Sequence, residues 1–269
     1  MNALDEQFDL RRRHPTARVY QWANALESRA ATYALPHDFD IAYGDSPGQR
    51  LDVFPAEGDG APVFVFIHGG YFRALDKSGY RYIARMTTRL GMTCVLVNYD
   101  LVPSVRVGDV VDQVQRAVHW IGQHVSRWRG DARRVTLCGH SVGAFLVAKV
   151  LEQDGLDRDV GVERAMLLSG LFDLAPMRAS YLNDVLRLTP ADVSDLSPIG
   201  RPLRSSPPLL IAVGEEETEE FVRQSRAYAA KLDGDGVRHE HWVMPGIHHY
   251  SMARMLGRLR NPLTDWLRA

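Results

Sequence analysis

The sequence predicts an α/β protein with a mostly parallel central sheet covered by helices on both faces. Short, saturated apolar runs alternate with longer segments whose apolar residues recur every three or four positions. The first pattern suits strands buried on both sides and the second suits amphipathic helices. No block of about 20–50 residues repeats, which sets solenoids aside. At 269 residues with 45% hydrophobic and 24% charged side chains, the chain can bury one large core, so a single domain over 1–269 is expected.

The elements follow in order. Residues 17–35 carry Val19, Trp22, Ala23, Leu26, Ala30 and Tyr33 at helical steps, so 1–38 reads as an N-terminal helical arm. Two alternating segments, 40–44 and 49–55, flank the turn-rich Asp45-Ser46-Pro47-Gly48 and predict a β-hairpin. Strands are expected at 62–67, 93–98, 135–138, 165–169, 209–213 and 239–244. Helices are expected at 80–90, 108–125, 142–152 and 219–232, with a terminal helix from 253 through Trp266. Residues 171–208 break the alternation and carry Pro176, Pro190, Pro198, Pro202, Pro207 and Pro208, which reads as a cap or lid over the strand ends.

Composition narrows the function classes. Lys+Arg 32 against Asp+Glu 33 leaves a formal net charge of -1, without the basic surplus that nucleic acid or an anionic membrane selects. The partner expected is a small molecule, no cofactor is implied, and a homodimer is left open. Cys94 and Cys138 each sit in an apolar run and read as buried small hydrophobes of a reducing compartment. Residues 1–13 are charged and lack the apolar core of a secretory signal, and no run approaches the ~18 residues of a membrane span, so a cytoplasmic protein is expected.

The chemistry is concentrated in a few segments. Val135-Thr136-Leu137-Cys138-Gly139-His140-Ser141-Val142-Gly143 places G-x-S-x-G between a strand and a helix, the context of a nucleophile elbow. Glycines on either side allow the close backbone approach that such a turn demands. Ser141 is therefore the candidate nucleophile. His68-Gly69-Gly70-Tyr71-Phe72 follows an apolar strand in the manner of an oxyanion loop, which makes the main-chain N–H groups of Gly69, Gly70 and Val142 candidate donors. His68 reads as a structural residue of that loop.

In the order serine, acid, histidine, the acid belongs after a later strand. Gly214-Glu215-Glu216-Glu217 favours Glu217 by position, with Asp173 the competitor. The base belongs to Met244-Pro245-Gly246-Ile247-His248-His249-Tyr250, where only one of the adjacent histidines can face the serine. A rival metal site built on His239, His241, His248 and His249 lacks the H-E-x-x-H pattern, since Val243 stands where the second histidine is needed, so no metal ligand is assigned. A non-catalytic binding protein on the same fold would ordinarily have lost one of these groups.

These motifs resemble the arylformamidase (kynurenine formamidase) branch of the α/β-hydrolases, near the hormone-sensitive-lipase-like carboxylesterases. The likeness runs through Leu4-Asp5-Glu6-Gln7-Phe8, the hairpin, His68 to Arg73, Asn98-Tyr99-Asp100-Leu101-Val102-Pro103, Gly139 to Gly143, Tyr181-Leu182-Asn183-Asp184, and Val213 to Ser225. It implies the α/β-hydrolase fold, Glu217 as the acid, and His249 as the base because the aromatic Tyr250 follows it. It also implies a serine hydrolase that removes a formyl or acetyl group from an aryl amide or ester through an acyl-enzyme. Phe72, Val142, Glu217 and Ser251 stand where the family more often has Trp, Ala, Asp and Asp. On this reading Tyr71 and Phe72 crowd the acyl side, while Tyr181 and Leu182 of the cap meet an aromatic leaving group.

Overall fold

In the computed structural model, which describes residues 3–269, eight strands form one sheet. They are β1 (Asp38–Ala42), β2 (Arg50–Phe54), β3 (Ala61–Ile67), β4 (Thr93–Val97), β5 (Gly130–His140), β6 (Val162–Leu168), β7 (Leu209–Gly214) and β8 (His239–Met244). Their order is β1-β2-β4-β3-β5-β6-β7-β8. The hairpin strand β2 runs antiparallel to β1 and β4, and every later pairing is parallel. The interior strands β3, β4 and β7 are buried along nearly their whole length, as strands covered on both faces must be.

The helices are α1 (Ala3–Phe8), α2 (Leu10–Arg13), α3 (Ala17–Ala34), α4 (Ala84–Arg89), α5 (Val107–His124), α6 (Val142–Leu151), α7 (Leu156–Asp159), α8 (Ala175–Arg178), α9 (Asn183–Leu186), α10 (Pro190–Leu196), α11 (Glu219–Gly234), α12 (His249–Met255) and α13 (Pro262–Arg268). Two apolar clusters lie on opposite sides of the sheet, one around α5, α6 and α11, the other around α4, α12 and α13. The three short helices α8, α9 and α10 fall within 171–208. Among the described residues no helix is long and apolar enough to cross a membrane.

Several elements differ from the sequence expectation. The stretch 80–90 begins as a 3₁₀ segment, Lys77–Ile83, and becomes α-helical only at Ala84. Its start is pinned from below: Lys77 Nζ lies 2.7 Å from Asp40 and 2.9 Å from the buried Asp52, and Arg81 Nε lies 2.6 Å from Asp52. The terminal helix is two helices, α12 and α13, interrupted after Met255 and restarted by Asn261, whose side chain accepts from the main-chain N–H groups of Leu263 and Thr264.

α3 forms where expected, yet its apolar stripe faces outward, with Trp22 68% and Tyr33 77% exposed. The inward face is made of small and polar residues. Ala17, Ser28 and Ala31 are buried, Ser28 Oγ accepts from Tyr82 N, and Asn24 and Glu27 hold Arg254. Close approach and hydrogen bonding, rather than apolar area, dock this helix.

Candidate active site

The parallel strands end at one edge of the sheet, where β5 turns directly into α6. Ser141 occupies that turn at φ 60°, ψ -127°, a conformation non-glycine residues rarely hold and one that costs of order 1–3 kcal/mol. The flanking glycines make the turn sterically feasible. A Cβ on Gly139 would lie 2.1 Å from the carbonyl oxygen of Gly143, and one on Gly143 would lie 2.1 Å from that of Ile67. The turn is further tied to β6 by Ser141 N donating to Leu168 O at 2.9 Å.

The loop after β3 packs against this serine. A Cβ on Gly69 would come 2.8 Å from Ser141 Cβ and 3.4 Å from Ser141 Oγ, so only a glycine lets the backbone lie here. Gly70 sits at φ 112°, followed by Tyr71 and Phe72 at φ 52° and 60°. Among the described residues, the N–H groups of Gly69, Gly70 and Val142 donate to no carbonyl of a turn or loop. His68 is fully buried and works on the loop itself: its ring bridges Gly69 O at 2.7 Å and Asn98 Oδ1 at 3.0 Å and stacks on Tyr99.

Glu217, from the loop after β7, and His249, the first residue of α12 beyond β8, meet. His249 Nδ1 lies 2.7 Å from Glu217 Oε2, and both side chains are almost wholly excluded from solvent. The other carboxylate oxygen accepts from Gly214 N at 3.0 Å and from the Ser169 hydroxyl. The two loops are clamped together, since a Cβ on Gly214 would sit 2.2 Å from Ile247 O. Asp173 lies elsewhere: its Oδ1 accepts from Ala175 N at 2.9 Å, and it faces Arg223.

Two supporting residues escaped the sequence reading. Ser169, at the end of β6, holds Glu217; the signal available was a serine before a glycine at a strand end. His140 is the other. Its Nε2 meets His249 O at 3.0 Å, its ring lies 4.5 Å from that of His249, and its Nδ1 is buried without a partner. Because a carbonyl only accepts, Nε2 must carry the proton, and burial holds this imidazole neutral by pushing its pKa well down.

Ser141, His249, Gly69 and Gly70 open on a cavity of about 820 Å³. Tyr71 and Tyr181 line it, joined by Tyr250 and Arg73. Phe72 and Leu182 do not: both are fully buried, with Phe72 edge-on to Phe145 and Leu182 in the main core. The left-handed backbone at Tyr71 and Phe72 sends the second ring inward.

One wall was not foreseen. Phe8, Leu10 and Arg11 of the arm line the cavity, and Phe8 O accepts from the hydroxyls of both Tyr71 and Tyr181, at 3.1 and 3.3 Å. The arm is anchored further by Tyr181 N donating to Asp5 at 2.7 Å and Glu220 N donating to Gln7 at 3.1 Å. Among the described residues no group of three or more His, Cys, Asp or Glu could hold a metal ion. His241 is engaged with Ser225 and His239 with Val237 O.

A sequence profile of the alpha/beta hydrolase fold matches residues 64–253. Kynurenine formamidase of Danio rerio is 30% identical over 238 residues, covering 85% of this chain and 79% of that protein. Esterase LipQ of Mycobacterium tuberculosis is 28% identical over 281 residues, covering 88% of this chain and 64% of that one. Among solved structures, a Silicibacter protein with a provisional thioesterase assignment superposes with a TM-score of 0.89 at 23% identity over the whole of both chains.

Proposed function

The chain is a hydrolase of the alpha/beta hydrolase fold family, and from its site we propose a serine hydrolase in which Ser141, His249 and Glu217 act as a triad through a covalent acyl-enzyme. The observation that carries the reading is the buried 2.7 Å contact between His249 Nδ1 and Glu217, at a cavity shared with Ser141. With Nδ1–H held by the carboxylate, Nε2 is left with a lone pair to take the Ser141 proton and later return it to the leaving group. The N–H groups of Gly69, Gly70 and Val142 would stabilise the tetrahedral oxyanion, each such donor being worth about 10²–10³ in rate.

The substrate proposed is an aryl amide or aryl ester of a formyl or acetyl group, N-formylkynurenine included, on the likeness to the formamidases. Tyr71 would crowd the acyl side and Tyr181 would meet the aromatic leaving group; Phe72 and Leu182, buried away from the cavity, drop out of those two roles respectively. A second reading, a general short-chain carboxylesterase, is favoured by the size of the cavity and the likeness to LipQ. A cytoplasmic location is part of the proposal and rests on the two unpaired cysteines.

Fluorophosphonate labelling tests the mechanism: wild type should be modified at Ser141 and Ser141→Ala should lose both label and turnover. Turnover surviving in a folded Ser141→Ala would overturn it. A panel of N-formylkynurenine against p-nitrophenyl acetate and octanoate separates the substrate readings. Acetate far above octanoate, with formamide cleavage, supports the first; a long-chain preference sinks it.

A further inference from the structure

His248, adjacent to the proposed base, takes no part in the contacts described so far. It is the residue immediately before α12, whose first residue is His249. Its Nδ1 accepts from Tyr250 N at 3.2 Å and from Ser251 N at 3.4 Å, while its own N–H donates to Ser251 Oγ at 2.9 Å. These are the reciprocal contacts of an N-cap, a position ordinarily filled by Ser, Thr, Asp or Asn.

A histidine differs from those residues in one respect: it caps only while Nδ1 bears no proton. With Nδ1 facing two N–H groups, the neutral ring carries its hydrogen on Nε2, and any further proton must go to the capping nitrogen itself. Protonation would turn an acceptor into a donor pointed at two other donors.

We propose that His248 is a positioning residue whose neutral imidazole caps α12 and so fixes the backbone of His249 relative to Glu217 and Ser141. The proposal rests on the reading of His249 as the base. The surroundings hold the ring in place: His14 stacks on it at 4.6 Å and 20°, and Tyr20 meets it edge-on at 4.9 Å. Around it stand Glu216 and Glu217 from the loop after β7, His14 and Tyr20 from the arm, and His249 and Tyr250 on its own helix. Burial lowers its pKa, the two glutamates oppose that shift, and His249 adds to it. The cap is therefore intact at neutral pH and lost in acid.

The test compares wild type with His248→Ala and His248→Asn in hydrolysis of p-nitrophenyl acetate across the acid limb of the pH profile. The asparagine places Oδ1 where Nδ1 stood, an acceptor that does not titrate. His248→Ala should lower kcat about tenfold with little change in KM. His248→Asn should restore most of that loss near neutrality, and its kcat/KM relative to wild type should rise toward acid with the dependence of a single proton. A ratio flat with pH, or an alanine variant with wild-type kcat, overturns the proposal. If the alanine variant does not fold, the asparagine ratio still decides. Failure of the parent reading is separately visible, as turnover surviving in His249→Ala assayed alongside.

Discussion

Glu217→Gln should lower kcat by about 10⁴ while leaving the protein folded. The direction follows from which oxygen of the carboxylate meets which donor. Oε1 accepts from Gly214 N and the Ser169 hydroxyl, and Oε2 accepts from His249 Nδ1. An amide has one oxygen, and Gly214 N–H is a fixed donor that can only face it. The amide NH₂ is therefore turned toward His249, which must now accept at Nδ1 and carry its hydrogen on Nε2. That is the wrong tautomer for removing a proton from Ser141. An orienting carboxylate changed to its amide in such a triad typically costs about 10⁴ in kcat, or about 5 kcal/mol of barrier. The contrast is Glu217→Asp, which keeps the charge but withdraws it by roughly 1.5 Å, one carbon–carbon bond, and should lose less. Single-turnover and steady-state hydrolysis of p-nitrophenyl acetate would measure both, with circular dichroism to establish folding. A loss under tenfold for Glu217→Gln, or an aspartate variant worse than the glutamine one, would refute the reasoning.

Asp173→Asn should leave kcat near wild type because Asp173 faces Ala175 N and Arg223; a loss equal to that of Glu217→Gln would transfer the orienting role to it. Ser169→Ala removes one of the two donors to Glu217 Oε1 and should lower kcat about tenfold, in line with a hydrogen bond to a charged group worth about 1.5–3 kcal/mol; an unchanged kcat would show the hydroxyl to be dispensable. Stability should fall in acid through His14, whose pKa burial lowers from 6.5 to about 4. Between those values the unfolded chain binds the proton and the folded chain does not. The contribution is thus complete above 6.5, erodes as the pH falls, and levels off below about 4. Thermal melts at about pH 7 and about pH 4.5 should show a smaller drop in Tm for His14→Phe than for wild type, and equal drops would contradict the assignment.

Short-range chemistry made much of this protein legible from its residues. Continuous apolar runs such as Val63-Phe64-Val65-Phe66-Ile67 can be satisfied only between two helical layers, so the parallel sheet follows from burial. The serine turn is local at Gly139, where a Cβ would meet the carbonyl of Gly143 within the turn, whereas Gly143 is demanded by Ile67 O at the end of β3. Other features depended on contacts between residues far apart in the chain. Glu217 and His249 are 32 residues apart and Ser169 and Glu217 are 48 apart; position after a strand favoured Glu217 as the acid, but no local pattern says that the Ser169 hydroxyl will hold its other oxygen.

The same holds for the arm. Periodicity located α3 but not its docked face, because that face is small and polar, and the stripe that looked buried meets solvent. Nor could spacing tell that Phe8 would wall the cavity through bonds to Tyr71 and Tyr181, or that His14 would stack on His248. Phe72 and Leu182 show the limit from the other side. Residue type fitted them to a pocket, but the direction of a side chain at a positive-φ turn or in the turn before a packed short helix is settled by what surrounds it. Residue type and local period determined the sheet, the turn and the candidate groups; tertiary packing decided their orientation and their neighbours, because those depend on atoms supplied by other parts of the chain.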